Sequence, residues 1–160
     1  MVYTQTHGHA LIPTMKFRLM NIQGNKMNLI ELSTEESVKV KIIDEQHENI
    51  ANTVNDIHSS LKAQKTDAVN NLLTKFLEEL ETHFETEENL MKENRFQGYI
   101  THKLEHDRFY NQILQSTDKY KKDAESFNEE QLDRIKRWFF NHIEINDKKC
   151  GTFLNSIGIY

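Results

Sequence analysis

"HFETEENLMKENRFQGYITHKLEH", residues 83–106, reads as the end of one helix, a break, and the start of another. His83 and Glu87 are four residues apart, as are His102 and His106. Four residues carry a helix about 40° past a full turn, so each pair projects from one face. Between the pairs, "NRFQG" (94–98) holds Asn94 and Gly98, residue types that end helices. A chain that leaves one helix and re-enters another after so short a connection favours antiparallel neighbours.

Outward from this stretch, apolar positions recur in steps of three and four, the seam of a bundled helix rather than the alternation of a strand. One seam runs Val40, Ile43, His47, Ile50, Val54, Ile57, Leu61, and the next Val69, Leu73, Phe76, Leu80, His83, Glu87, Leu90. A third runs Tyr99, His102, His106, Phe109, Ile113, Tyr120 with a polar gap at Ser116, and a fourth Ile135, Trp138 or Phe139, His142, Asn146, Lys149. Near "KTD" (65–67), Thr66 or Asp67 is expected to cap the second helix. "SFNEEQ" (126–131) offers capping-box spacings from Ser126 to Glu129 and from Asn128 to Gln131. The expected fold is all-α: an antiparallel up-down-up-down four-helix bundle over about residues 34 to 152, with an N-terminal arm. Residues 1–33, with Pro13, Gly8 and Gly24 and no clean helical period, form the arm or tail; 34–160 are the bundle with a short C-terminal extension.

The totals agree with a helical domain. One proline and five glycines leave few breakers, and 160 residues suffice for one core. A net charge of −5 with mixed signs gives no electrostatic basis for nucleic acid or an anionic membrane as partner. No apolar run approaches the ~20 residues of a bilayer span, and the N-terminus lacks the pattern of a secretory signal, so a cytoplasmic location is expected. Cys150 stands alone, which excludes a Cys-rich metal site; a partly buried thiol near a helix end is its expected state.

The seams also carry polar groups that a bundle core does not ordinarily tolerate. His47, His83, His102, His106 and His142 occupy seam positions, with Glu87 beside them and Asp147 five residues after His142. Each unpaired polar group in a core costs about 1–3 kcal/mol, and an unpaired carboxylate more. Metal ions remove that cost by turning imidazole nitrogens and carboxylate oxygens into ligands. Five imidazoles and two carboxylates exceed what one tetrahedral zinc can use, whereas two six-coordinate irons can share them if the carboxylates bridge. His142 and Asp147 are the untidy pair. Five residues span about 140° on an ideal helix, which calls for different roles or a local π-bulge.

"IDEQH" (43–47), "HFETEENLM" (83–91), "HKLEH" (102–106) and "WFFNHIEIND" (138–147), in this order on four helices, resemble the hemerythrin family, particularly its bacterial and archaeal members. The resemblance covers roughly residues 34 to 152 and implies two Fe ions, oxo- or hydroxo-bridged, that bind dioxygen reversibly without turning over a substrate. By position, it places His102, His106 and His142 on one iron, His47 and His83 on the other, and Glu87 and Asp147 across both. One position departs: Phe139 stands where the family usually has leucine, a larger side chain that narrows the pocket or redirects ligand entry. Phe84, Trp138 and Phe139 are the expected dry wall.

The other histidines fall outside the cage. His58 lies about three turns beyond His47, with surface as its expected place, and His7 and His9 form "HGH" in the arm. Asp44 and Gln46 adjoin His47, and one of them is a candidate to orient a ligand imidazole, with solvent exposure as the alternative. Competing functions make different demands. A ferritin-like di-iron oxidase or iron store needs several glutamates and Glu-x-x-His pairs, and no such pair occurs here. A dioxygen, nitric oxide or redox sensor needs a readout element, for which the arm is the candidate. A metal-free interaction helix bundle needs the histidines exposed.

Overall fold

The structure is a computed structural model, described here for residues 28–160. Residues 1–27, with most of the expected arm and the "HGH" motif, lie outside the described residues. The described chain is an all-α four-helix bundle: α1 (Lys41–Lys62), α2 (Thr66–Glu93), α3 (Tyr99–Lys122) and α4 (Glu129–His142), the last continued through a π-helical segment (Ile143–Asp147) into α5 (Lys148–Ser156). α1 packs on α2, α2 on α3, and α1 on α4. Ile43, Ile50, Val54 and Ile57 of α1 and Val69, Leu73, Phe76 and Leu80 of α2 are almost completely buried. Each such side chain contributes about 1.5–3 kcal/mol of burial energy.

The connections differ from the sequence expectation in their chemistry. Neither Thr66 nor Asp67 caps α2; the cap position is Lys65, with no side-chain bond. The turn is instead set by the end of α1, where Gln64 takes a left-handed φ of 54° and Lys65 N–H donates to Ser60 O at 3.0 Å. The same device ends α2: Arg95 has φ 59°, its N–H donates to Lys92 O, and Phe96 N–H donates to Met91 O at 2.8 Å. Both are Schellman closures with a non-glycine residue at the left-handed position. Asn128 does cap α4 as expected, its side chain accepting from Glu130 N–H and its own N–H donating to Gln131 Oε1.

α1 begins at Lys41 with Val40, the first residue of the expected seam, at its cap position, and the polar residues ahead of it bond to local backbone instead. Ser33 N–H donates to Glu36 Oε2 at 2.7 Å, and Asp44 accepts from Val38 N–H at 2.8 Å and from Ser37 Oγ at 2.7 Å. The segment ahead of α1 is strapped to the bundle further back, where Asn55 accepts from Ile30 N–H at 2.9 Å and donates to Ile30 O at 2.8 Å. Gly151 of α5 is what lets this strap lie flat. A Cβ there would stand 2.4 Å from Val38 O and 2.9 Å from Val38 Cβ. Gly151→Ala is therefore expected to destabilise the fold by about 1–3 kcal/mol despite alanine's better helix propensity. Denaturant unfolding measures this, and an unchanged midpoint would show that the strap yields freely.

Past residue 142 the expected seam slips. Asn146 is only partly buried and Lys149 is exposed, while Asp147, Cys150, Gly151 and Leu154 face inward. The π-helical segment absorbs one extra residue, marked by Lys148 N–H bonding back to Ile143 O, so every later side chain is rotated by one position. Cys150 is fully buried rather than partly so.

Candidate metal centre

His47 comes from α1, His83 and Glu87 from α2, His102 and His106 from α3, His142 from the end of α4, and Asp147 from the end of the π-helical segment. All are buried at the end of the bundle where α1 and α3 begin. The local winding explains the pairs. His83 with Glu87 and His102 with His106 share a face by α-helical spacing. His142 and Asp147, five apart, share one because the wider π winding brings residue i+5 back over residue i. His142 Nε2 and Asp147 Oδ1 are 3.1 Å apart.

These atoms form two groups with common members. Glu87, His102, His106, His142 and Asp147 offer one set of donors, and His47, His83, Glu87 and Asp147 the other; within each set the donors lie within 4.8 Å of one another. His142 Nε2 is 3.0 Å from His102 Nε2 and 2.9 Å from His106 Nε2. Glu87 Oε2 is 3.3 Å from both His102 Nε2 and His106 Nε2, and 3.9 Å from His83 Nε2. Asp147 turns Oδ1 toward His102 Nε2 at 3.0 Å and Oδ2 toward His47 Nε2 at 3.3 Å, so its two oxygens serve the two groups separately.

Close approach is not the same as satisfaction. Both oxygens of Glu87, both of Asp147 and both ring nitrogens of His47 are buried without a well-formed hydrogen bond. His142 Nε2 meets two other Nε2 atoms, and one proton cannot serve both. Misaligned donors packed this tightly suit a cation: two ligands in adjacent octahedral positions, each ~2.1 Å from one ion, stand ~3.0 Å apart. The two edges from His142 to His102 and His106 match that separation.

Protons are divided unevenly among these groups. Burial pulls His83 down to about 3 against the opposing charge of Glu87. Burial lowers His102, but the carboxylates of Asp147 and Glu87 close to its Nε2 outweigh this and push it up to about 9. Burial and mutual repulsion act to raise Glu87, yet the surrounding imidazoles hold its carboxyl below the usual range. Asp147 is likewise held low against its burial, chiefly by His142. Ionised carboxylates beside the imidazoles of His83 and His106, which burial strips of protons, are forms that take a cation, whereas His102 would release its proton on binding one.

Outside the cage the partners are only partly those expected. Gln46 does orient a ligand-type imidazole, that of His83, whose Nδ1 is 3.3 Å from Gln46 Oε1; Gln46 Nε2 donates to Thr86 Oγ1 at 2.9 Å. Asp44 holds the strap instead. Glu88 and Asn146 were not anticipated: Glu88 Oε1 lies 3.2 Å from His106 Nδ1, and the Asn146 amide 3.2 Å from His142 Nδ1. Asn146 had a readable signal, its spacing of four from His142. Glu88 did not, since it sits about 100° around α2 from Glu87.

Aromatic rings close the cage. Phe84 stacks on His106 at 3.9 Å, Trp138 on His142 at 4.3 Å with Phe109 behind it at 3.6 Å, and Phe139 stands edge-on to His47 at 5.6 Å. His47 also borders a surface cleft of about 430 Å³ between the strap and α1, shared with Leu32, Ser37 and Asp44. His58 is a correction. It is buried, and its Nε2 is 3.3 Å from Glu129 Oε2, because the start of α4 packs beside the far end of α1.

Comparison with known proteins agrees with the arrangement. The family model described as hemerythrin HHE cation binding domain matches residues 38–154. The chain is 30% identical over 120 residues to bacteriohemerythrin of Aquifex aeolicus (strain VF5), covering 72% of this chain and 89% of that one. It is 25% identical over 122 residues to bacteriohemerythrin of Stenotrophomonas maltophilia (strain R551-3), covering 76% and 79%. Among solved structures, a wild-type hemerythrin superposes with a TM-score of 0.74 at 24% identity, over 78% of this chain and 96% of that one, a likeness of fold. Among the described residues, no helix is long and apolar enough to cross a membrane.

Proposed function

The chain belongs to the hemerythrin family, and we propose that it binds dioxygen reversibly at two iron ions held in this cage, as a carrier, store or delivery protein rather than an enzyme. His102, His106 and His142 would hold one ion, His47 and His83 the other, and Glu87 and Asp147 would be shared. A pair of ferrous ions supplies the two electrons that reversible dioxygen capture draws on.

The observation that carries this reading is the inequality of the two donor groups around common carboxylates. Five donors face one position and four the other, so the His47 and His83 side is short of a ligand. That side also borders the cleft beneath the strap, which gives a small diatomic molecule a way in. The two carboxylates offset much of the charge of two divalent ions in a low-dielectric core. Phe84, Trp138 and Phe139 keep water from the cage, and water exclusion separates reversible binding from loss of the ligand as a reduced product that would leave the ions oxidised. Phe139, pressed edge-on against His47, makes this wall tighter than a leucine would.

The test is anaerobic purification, metal analysis, and visible spectra through cycles of dioxygen and vacuum. About two irons per chain and a charge-transfer band that appears and vanishes over repeated cycles are expected. Stoichiometric zinc, or irreversible oxidation in the first cycle, overturns the reading.

A further inference from the structure

The two donor groups rest on chemically different outer partners. His83 Nδ1 meets the neutral amide of Gln46 at 3.3 Å, whereas His106 Nδ1 meets the carboxylate of Glu88 at 3.2 Å. The other imidazoles have no charged outer partner among the described residues: His142 meets the Asn146 amide, and the Nδ1 atoms of His47 and His102 are buried without a hydrogen bond. Glu88 is therefore the one carboxylate there that touches the outer nitrogen of a cage histidine. Its charge is itself opposed, since Lys103 Nζ lies 3.0 Å from Glu88 Oε2 and donates to Asp107 Oδ1 at 2.9 Å. Glu88, Lys103 and His106 line a surface cleft of about 200 Å³ with Phe84 and Tyr110, so this group sits where solvent and ions reach it.

We infer that Glu88 is a positioning residue that makes the ion held by His102, His106 and His142 the easier of the two to oxidise, with Lys103 restraining the effect. The inference rests on the di-iron reading above. A carboxylate that accepts Nδ1–H draws the proton toward itself, fixes Nε2 as the atom facing the cage, and makes the imidazole a stronger electron donor. Stronger donation and a nearby negative charge both favour the more highly charged state of the ion. An amide, as at Gln46, fixes the ring without adding charge. The difference would have a use in dioxygen binding if each ion gave one electron, since Glu88 would ease withdrawal from the ion held by the larger donor group.

Spectroelectrochemical titration of the full iron-loaded chain under anaerobic conditions tests this, with metal content and visible spectrum recorded in parallel. Wild type is expected to show two one-electron steps. Glu88→Gln should raise the lower of the two potentials by a tenfold change in redox equilibrium, which is 59 mV for one electron. Lys103→Gln, at a half-buried position, should lower the same potential, and Gln46→Glu should lower the other. Opposite signs for Glu88→Gln and Lys103→Gln separate an electrostatic role from a disturbed fold, which would move both the same way. Potentials unmoved by these variants, or moved in one direction by both, overturn the proposal alone. Should Glu88→Gln lose its metal, Lys103→Gln decides: an unchanged or raised potential overturns the proposal. Wild-type protein lacking a pair of one-electron steps overturns the di-iron reading, and this proposal with it.

Discussion

Glu87→Ala is expected to abolish both ion sites at once, bringing metal content from about two ions per chain to nearly none, whereas His83→Ala or His102→Ala leaves about one. The difference follows from membership. Glu87 stands in both donor groups, while His83 belongs only to the smaller and His102 only to the larger. Charge adds to geometry: with Glu87 gone, Asp147 alone would face two divalent ions among five imidazoles, in a core too apolar to screen the repulsion. Alanine is a good helix former, so α2 persists and the loss reflects the cage rather than the helix. Elemental analysis after anaerobic reconstitution, with circular dichroism to confirm helix content, gives the answer. Two ions retained by Glu87→Ala would mean that the carboxylate bridges nothing. Two ions retained by His83→Ala would break the assignment of that histidine.

The paired spacings in α2 and α3 were legible because an α-helix turns by a constant angle, so residues four apart share a face wherever the helix is regular. The Asn128 capping box was legible for a similar reason, being a local device complete within a few residues. Where the winding changes, the same arithmetic fails. Asp147 fitted no α-helical face with His142, and the structure resolves this by a π-helical segment that also moves the later seam from Asn146 and Lys149 to Asp147 and Cys150. The strap ahead of α1 was not legible, because Glu36 and Asp44 satisfy its backbone N–H groups through side chains. His58 and Glu88 were invisible for another reason. Their partners, Glu129 and His106, are distant in sequence, and only packing brings them together.

Removing the ions with a chelator is expected to lower the melting temperature by about 10–30 °C, and returning ferrous iron under anaerobic conditions should restore it. Without a cation, Glu87, Asp147 and His47 have only each other and neighbouring imidazoles, in an alignment that makes no sound hydrogen bond. Three such side chains at about 1–3 kcal/mol each cost roughly 3–9 kcal/mol, and in a chain of this size each kcal/mol moves the melting point by about 2–4 °C. Calorimetry on the same sample before and after chelation measures the shift. A change of only a few degrees would mean that the polar cage satisfies itself and that metal is incidental to the fold. A second arm distinguishes a cage kept for metal from a polar core kept for stability. The double variant Glu87→Leu with Asp147→Leu should bind no iron, yet melt above the chelated wild type, because apolar side chains of similar volume replace buried charges that lack well-formed hydrogen bonds. If the chelated wild type proves the more stable, then Glu87 and Asp147 stabilise the bundle in their own right and need no metal to offset their burial.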